Sequence, residues 1–426
     1  MKRVIVICPT GRDKRELSYQ HVSAGYEILF NRYHQEEYER VICPGFGSLT
    51  YTFNPELFIE DVIKKDSQQK IDGLLSTEDY PGAVLASIVA QKIGLASALP
   101  AAVLLCQHKY HARCIQKESV PHATPSFSLI DPDTFPEGPF SFSFPLFIKP
   151  IKSVFSIFAN YAYHIQDIYS LIKSSRLPNQ FLEQFNWFLK NYSSCSVDAR
   201  HLLVEEVLSG VQTTLEGCVY EGKFTVIGIV DSVMIPETIS FKQFNYPSSL
   251  AADVQERMAL IAEQFIKAVA FDNGVFNIEF MYNPTTDQIH IIEINPRMSS
   301  QFADLFEKVN GKNTYSLLLD IATGNKPEYV FGQGRHTHAT SFVLRTHIDQ
   351  YVSQIPTEKE REKLRSEFPD VRLEVHATVG KKLSDERQDG KSYRYGLINL
   401  GGNGPEELAD KCAYVQRLLT FRFRPV

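Results

Sequence analysis

Two short segments of the chain place carboxylates where they can hold a cation. Residues 276–282 read FNIEFMY and residues 289–295 read IHIIEIN, separated by Asn283-Pro284-Thr285-Thr286-Asp287-Gln288. The separating run is rich in turn formers, which predicts a β-hairpin. Strand side chains alternate, so Asn277, Glu279 and Met281 share one face, and Ile291, Glu293 and Asn295 share a face of the partner strand. A loop centred near 285–286 sets Glu279 within about one residue of Glu293 across the ladder. Two like charges so placed are destabilising unless something neutralises them. Hard oxygens on rigid strands suit Mg²⁺, which keeps waters and takes further ligands from nucleotide phosphates. Asn295 adds a carbonyl oxygen, and Arg297 follows Pro296 with a permanent charge and a planar donor fork. The alternative, a solvent-facing strand with ordinary charges, sits badly with the apolar neighbours on both strands.

The rest of the chain must position this hairpin. Residues 4–8 (VIVIC) form a β-rich run before the Pro9-Thr10-Gly11 turn, and 41–43 and 73–76 are further strand candidates. With helix-like stretches at about 15–33, 55–66 and 82–93, this alternation predicts an N-terminal βαβ domain with a parallel sheet. Thr77-Glu78-Asp79-Tyr80 follows a strand and precedes a helix, where open α/β sheets place ligands. Glu78 is therefore a substrate candidate, although Glu78 and Asp79 equally suit the opening of the next helix. A G-x-G-x-x-G fingerprint is absent.

Residues 101–117 read as one helix carrying Lys109 and Arg113, followed by a proline-punctuated stretch to 139. FPLFIK at 144–149 is a strand ending on Lys149. The region 160–192 reads as helical, with Phe181, Leu182, Phe185, Phe188, Leu189 and Tyr192 on one apolar stripe. That stripe is expected to pack inside its own subdomain; a subunit contact or a cap over a hydrophobic substrate are the alternatives. Strands at about 201–208, 213–221 and 224–231 and a helix at 251–271 lead into the hairpin. Beyond 335 the chain is strand-rich, with turns at Gly390, Gly396 and Gly401-Gly402 and a last helix at 405–419.

Composition excludes more than it assigns. The 426 residues, 43% hydrophobic and 22% charged, can bury a sizeable core, and the length suits two to four domains. Fifty acids against 44 bases leave a net charge of -6, which gives no general drive toward nucleic acid or anionic membrane. No run reaches the ~18 apolar residues of a membrane span. The apolar run after Lys2-Arg3 stops at Pro9, too short for a signal h-region. Seven scattered cysteines without a C-x-x-C pair read as reduced thiols, and a cytoplasmic location is expected. His336 and His338 have metal-like spacing but read as structural.

IIEINPRMSS at 291–300, with FNIEF upstream, closely resembles the metal-binding end of the ATP-grasp superfamily. Further motifs occur in the family's order. PLFIKP at 145–150 looks like the strand bearing the phosphate-binding lysine, here Lys149, and Lys109 matches the earlier lysine. LLVEEVLSG at 202–210 looks like the adenine hinge, with Glu205 and the backbone of Glu206, Val207 and Leu208 as its contacts. The following loop departs from relatives: residues 151–156 (IKSVFS) contain no glycine. Ser153 and Ser156 are then candidates for holding phosphate, and Gln212 stands where many relatives have Glu.

The resemblance implies a mixed α/β and α+β multidomain protein. Its parts would be an N-terminal parallel α/β pre-ATP-grasp domain (1–100), a two-subdomain ATP-grasp fold (101–334, lid about 120–205) and a C-terminal α+β extension (335–426). It further implies ATP and Mg²⁺, with Mn²⁺ as a substitute; Glu279, Glu293 and Asn295 would hold the metal, and Arg297 would be catalytic. The implied reaction activates a carboxylate as an acyl phosphate and transfers it to an amine, as in amino-acid and peptide ligases. Pro236–Leu250 resembles the family's substrate segment, with Lys242, Asn245, Tyr246 and Ser248 as candidate contacts; the other reading is a surface loop. Competing functions are a purine-pathway or carboxylase-type enzyme and a catalytically silent nucleotide-binding regulator. The expected partners are small-molecule carboxylate and amine substrates, not nucleic acid or membrane, with a homodimer as the usual assembly.

Overall fold

The computed structural model describes residues 1–31, 54–135, 143–153, 158–174, 179–385 and 392–426. The strand candidate at 41–43 and the turn at Gly390 lie outside these residues. β1 (Lys2–Ile7), β2 (Tyr26–Asn31) and β3 (Gly73–Leu75) form a parallel sheet in the order β2-β1-β3. The helix expected over 15–33 is replaced by α1 (Gly11–Glu16), α2 (Gln20–Ser23) and β2. Gly25, at φ +88°, turns the chain, and Tyr26–Asn31 then pairs along the whole of β1. The edge of β1 offers that run backbone partners which no isolated helix could match.

Two helices cover this sheet, α3 (Pro55–Gln68) and α4 (Gly82–Ile93), the latter buried from Gly82 to Ala90. The single helix expected at 101–117 is two, α5 (Pro100–Gln107) and α6 (Lys109–Ser119), separated by an extended His108. The imidazole Nδ1 of His108 accepts the His111 N–H, so the ring caps α6 and starts it at Lys109. A four-stranded antiparallel sheet follows, in the order β4-β7-β5-β6. Its members are β4 (Phe127–Ile130), β5 (Leu146–Pro150), β6 (Asn160–Ala162) and β7 (Leu202–Glu206). Ile168 of α7 (Ile165–Ser174) joins Ile130, Leu146, Ile148 and Val204 in its small core.

α8 (Asn179–Tyr192) carries the aromatic stripe, and it does not pack into that core. Phe181, Phe185 and Phe188 are buried instead around Tyr80, just ahead of α4, with edge-on ring separations of 5.4, 5.3 and 5.9 Å. The Tyr80 hydroxyl donates to Gln184 at 3.1 Å. A tyrosine ring satisfies three phenylalanine faces and keeps its polar end bonded, which the apolar β4–β7 interior has no group to match. The stripe is thus a joint between the small sheet and the N-terminal layer.

The main sheet has eight strands in the order β12-β11-β8-β9-β10-β13-β16-β15. They are β8 (Val211–Tyr220), β9 (Lys223–Met234), β10 (Phe241–Tyr246), β11 (Gly274–Asn283), β12 (Gln288–Asn295), β13 (His338–Thr346), β15 (Arg372–Val375) and β16 (Tyr393–Gly402). β14 (Gln350–Gln354) pairs separately with β17 (Arg422–Pro425). α9 (Ala252–Ala268), α10 (Ala303–Asn310), α11 (Thr314–Ala322), α12 (Glu358–Glu367) and α13 (Pro405–Leu418) complete the described helices. The sheet runs unbroken across residue 335, because β13 pairs with β10 on one side and β16 on the other. Arg12 closes the far edge, with Nε and Nη2 on Glu374 of β15 at 2.7 and 2.6 Å and Nη1 on Ser300 at 3.0 Å.

Removing one ring from the joint should therefore cost global stability. Phe185→Ala is expected to lower the unfolding free energy by about 3–5 kcal/mol in a denaturant titration. Tyr163→Ala, at a position 59% exposed, should change it by less than ~0.5 kcal/mol.

Candidate active site

β11 and β12 pair antiparallel with Glu279 directly opposite Glu293 and Asn277 opposite Asn295. The predicted hairpin and shared face are both present. The register then shifts, since Phe280 faces Ile291 and leaves Ile292 as the extra residue of a bulge. The Ile292 carbonyl, released from regular pairing, accepts from Arg113 Nη2 at 2.7 Å and from Lys149 Nζ at 3.3 Å. A local backbone irregularity thus gathers two cations beside the carboxylates.

Each cation has an acidic partner. Lys109 Nζ lies 2.8 Å from Glu293, and Lys149 Nζ lies 2.7 Å from Glu205, whose other oxygen receives Arg113 Nε. Burial alone would raise the Glu205 carboxyl, but Arg113 and Lys149 outweigh it and hold the group below its ordinary value. Burial lowers the Lys149 ammonium, and Glu205 only partly offsets this. The Glu205 carboxylate is thereby committed to Lys149 and Arg113. Glu206 is pinned to the start of β4, its N–H on the Ser126 carbonyl at 3.1 Å and its carboxylate on the Ser126 N–H at 2.7 Å. Val207 and Leu208 follow, half-buried.

The two opposed carboxylates divide their roles. Burial also opposes charge on Glu293, but Lys109 and then Lys149 carry it below the usual carboxylate range. Glu279 is pushed up to about 7, first by burial and then by the charge on Glu293. Gln212, on the neighbouring strand, donates to Glu279 at 2.9 Å. Among the described residues no group of three or more His, Cys, Asp or Glu side chains could hold a metal ion. Two carboxylates and the Asn295 amide still fit Mg²⁺, which needs few protein ligands when phosphates supply the rest. The opposed pair, one member of which is raised to about 7 by burial and by its neighbour's charge, is the observation that fits a divalent cation.

Asn277 ties this set together. Asn295 donates its amide to Asn277 Oδ1 at 2.9 Å, which leaves the Asn295 oxygen free to face a metal. Asn277 in turn donates to the Arg297 carbonyl at 3.2 Å. Glu216, opposite Asn277 on β8 and fully buried, accepts the Ser299 N–H at 2.8 Å, and burial pushes its carboxyl up to about 8. These two side chains hold the peptides on either side of Met298, and with them the base of Arg297. Sequence reasoning missed both roles, although the alternation Gln212, Thr214, Glu216 placed Glu216 on the Glu279 face.

The N-terminal loop contributes Asp79, not Glu78. Glu78 accepts the Gly82 N–H at 2.8 Å and opens α4. Asp79 meets Lys152 Nζ at 2.7 Å through one oxygen, and its other oxygen is 3.9 Å from Arg297 Nε. Ser153 follows Lys152 and is half-buried, whereas Ser156 lies outside the described residues.

The candidates in Pro236–Leu250 are not brought to the carboxylates. The segment holds an inner strand, β10, in place of the surface loop of the alternative reading, because its alternating FKQFNY run finds partners on both sides. Asn245 accepts from Thr340 at 2.8 Å on the opposite face of the sheet, and Tyr246 is buried against Phe306 with its hydroxyl on Asn310. Ser248 bonds Asp231, and Lys242 is exposed, on the side facing Cys412. His336 pairs with Asp370 at 2.9 Å, a structural role.

Residues 142–305 match the family model described as ATP-grasp domain. This chain carries an ATP-grasp domain. The matched span includes Lys149, the hinge, both carboxylate strands and Arg297. Over 115 residues the sequence is 31% identical to the carbamoyl phosphate synthase large chain of Thermotoga neapolitana, covering 26% of this chain and 10% of that protein. The chain therefore spans only about a tenth of that relative's length. Likeness of fold to solved structures extends over the whole chain. L-amino acid ligase from Bacillus licheniformis superposes with a TM-score of 0.74 at 15% identity, covering 100% of this chain and 99% of that one. Phosphoribosylglycinamide synthetase from Anaerococcus prevotii gives 0.65 at 13% identity, over 99% and 100% of the two chains.

A metal ligand must be deprotonated, so the Glu279 proton competes with the cation. Mn²⁺ affinity, read by electron paramagnetic resonance, should be flat above pH about 7 and fall below it toward tenfold per pH unit. A profile flat down to pH ~5 would show that Glu279 titrates like an ordinary carboxylate.

Proposed function

We propose that this ATP-grasp protein is an ATP-dependent carboxylate–amine ligase. It activates a carboxylate as an acyl phosphate and passes the acyl group to an amine, forming an amide or peptide-like bond, ADP and phosphate. The facing pair Glu279 and Glu293, ringed by Lys109, Lys149 and Arg297, is the observation that carries this reading. Glu279, Glu293 and Asn295 would hold Mg²⁺, which supplies neutralisation of charge on the transferring phosphoryl group.

The chain's own residues account for the other requirements. Lys109 and Lys149 offer positive charge to a polyphosphate, and segment 205–208 offers backbone groups to adenine. Arg297, its base fixed by Asn277 and Glu216, presents a planar donor fork to a carboxylate or an acyl phosphate. A pre-set donor is worth most where charge develops, because no reorganisation is needed at the moment of reaction. No nucleophilic side chain is required, since the acyl phosphate is itself the activated species. An amino acid is the favoured substrate class, supported by the likeness over the whole chain to an L-amino acid ligase.

Incubation with Mg-ATP and a pooled amino-acid library should release phosphate in a manner dependent on the pool. Glu293→Gln should cut that rate by about 10²–10³-fold while leaving thermal unfolding within a few degrees of the parent. A parental rate in Glu293→Gln would sink the metal assignment. Release dependent on bicarbonate in place of amino acids would move the protein to the carboxylase-type reading.

A further inference from the structure

The loop after β5 lacks the glycines that let backbone N–H groups approach a phosphate, yet its second residue is a buried lysine. Lys152 is 2% exposed and sits in an aromatic box, its Nζ 5.1 Å from the Tyr80 ring centre and 5.6 Å from that of Phe185. Such walls hold an ammonium in place and restrict its water. The position is set by three elements: β5 delivers the backbone, the loop before α4 brings Tyr80, and α8 brings Phe185.

Lys152 and Arg297 converge on one small carboxylate, Asp79, from its two oxygens. The contacts are unequal. Lys152 is at hydrogen-bond distance, whereas Arg297 stands off at 3.9 Å, and among the described residues its guanidinium donates no hydrogen bond. A half-buried guanidinium fork with unused donors, next to an ammonium, is the arrangement that takes an external tetrahedral or planar anion. Asp79 is the only one of the three on the N-terminal side; it hydrogen-bonds Lys152 and balances the charge of Arg297 without bonding it. Lys109 and Glu293 lie close enough to Lys152 to feel its charge, so the pair adjoins the carboxylate hairpin.

We infer that Lys152 and Arg297 form the binding site for the phosphoryl group being transferred, with Asp79 as its internal stand-in. This rests on the ligase reading above and deepens it: a side-chain cation replaces the glycine cradle of the loop. Phosphate arriving between the two cations takes the place of the Asp79 oxygens.

The two sides of this contact make opposite predictions. Orthophosphate binding is measured by calorimetry on the full chain, with and without Mg-ADP, for the parent, Lys152→Met, Lys152→Arg and Asp79→Asn. Lys152→Met should weaken orthophosphate about tenfold or more, since a charge-assisted bond is lost, and Lys152→Arg should restore part of it. Asp79→Asn should strengthen it several-fold, because the competing carboxylate is gone. Mg-ADP affinity should stay near the parental value in every variant, which also shows that each one folds. Orthophosphate binding unchanged in Lys152→Met overturns the proposal, as does equal weakening in Lys152→Met and Asp79→Asn, the mark of a merely structural pair. Absence of Mg-ADP binding in the parent would instead overturn the ligase reading, and the orthophosphate titrations alone would still decide the role of Lys152.

Discussion

Two carboxylates placed opposite each other on adjacent strands, half-buried at the edge of the main sheet, are the constraint around which the site is built. Water reaches the pair only in part, so the surroundings supply positive charge or leave a proton in place. Lys109 takes Glu293, the bulge at Ile292 draws in Lys149 and Arg113, and Glu279 is left with a hydrogen bond donated by the Gln212 amide. The same logic repeats one layer out, where Glu205 pairs Lys149 with Arg113 and Asp79 pairs Lys152 with Arg297. Ligand binding in such a site is an exchange of partners and not the filling of a bare positive hole. A buried ion pair contributes little net stability, because desolvation offsets most of its attraction. Pairs of this kind can therefore be exchanged at modest cost.

The support of these charges is unusually distributed. Lys109 is placed by a histidine cap, Arg297 by Asn277 and Glu216, and Lys152 by rings from two separate layers. His108 is well suited to its task. Burial drops its pKa to about 3, so the ring stays neutral and can accept the cap bond through Nδ1 while Nε2 meets the Val197 carbonyl. A protonated ring could not accept that bond, and α6 would lose its cap.

Much of this was legible in the sequence. Alternation alone put Glu279, Glu293 and Asn295 on one face, and turn chemistry fixed the hairpin that sets them opposite. Lys109, Lys149 and Arg297 all reach the same neighbourhood. What stayed hidden depended on pairing across long distances. Nothing local distinguishes Asp79 from Glu78, yet Asp79 meets Lys152 and Arg297 while Glu78 accepts the Gly82 N–H at the start of α4. FKQFNY looked like a loop with polar contacts until its partners on β9 and β13 were in place, and Tyr26–Asn31 looked helical until β1 offered an edge. Periodicity found the apolar stripe of α8 but could not name the single tyrosine it surrounds.

The unbroken main sheet also decides how the chain can be cut. The order of motifs suggests trimming at residue 334, where the resemblance puts the end of the ATP-grasp segment. Such a cut would remove β13, β16 and β15 and leave β10 as a bare edge. That edge would present Phe241, Phe244 and Tyr246 beside a row of unpaired amide and carbonyl groups, a template for strand addition by another copy. It would also take away Glu374, the anchor for Arg12, loosening the first turn of the protein from the loop that bears Arg297. The last ninety or so residues are therefore less an appendage than the other half of a wall, and a shortened chain is expected to precipitate before it loses any single catalytic group.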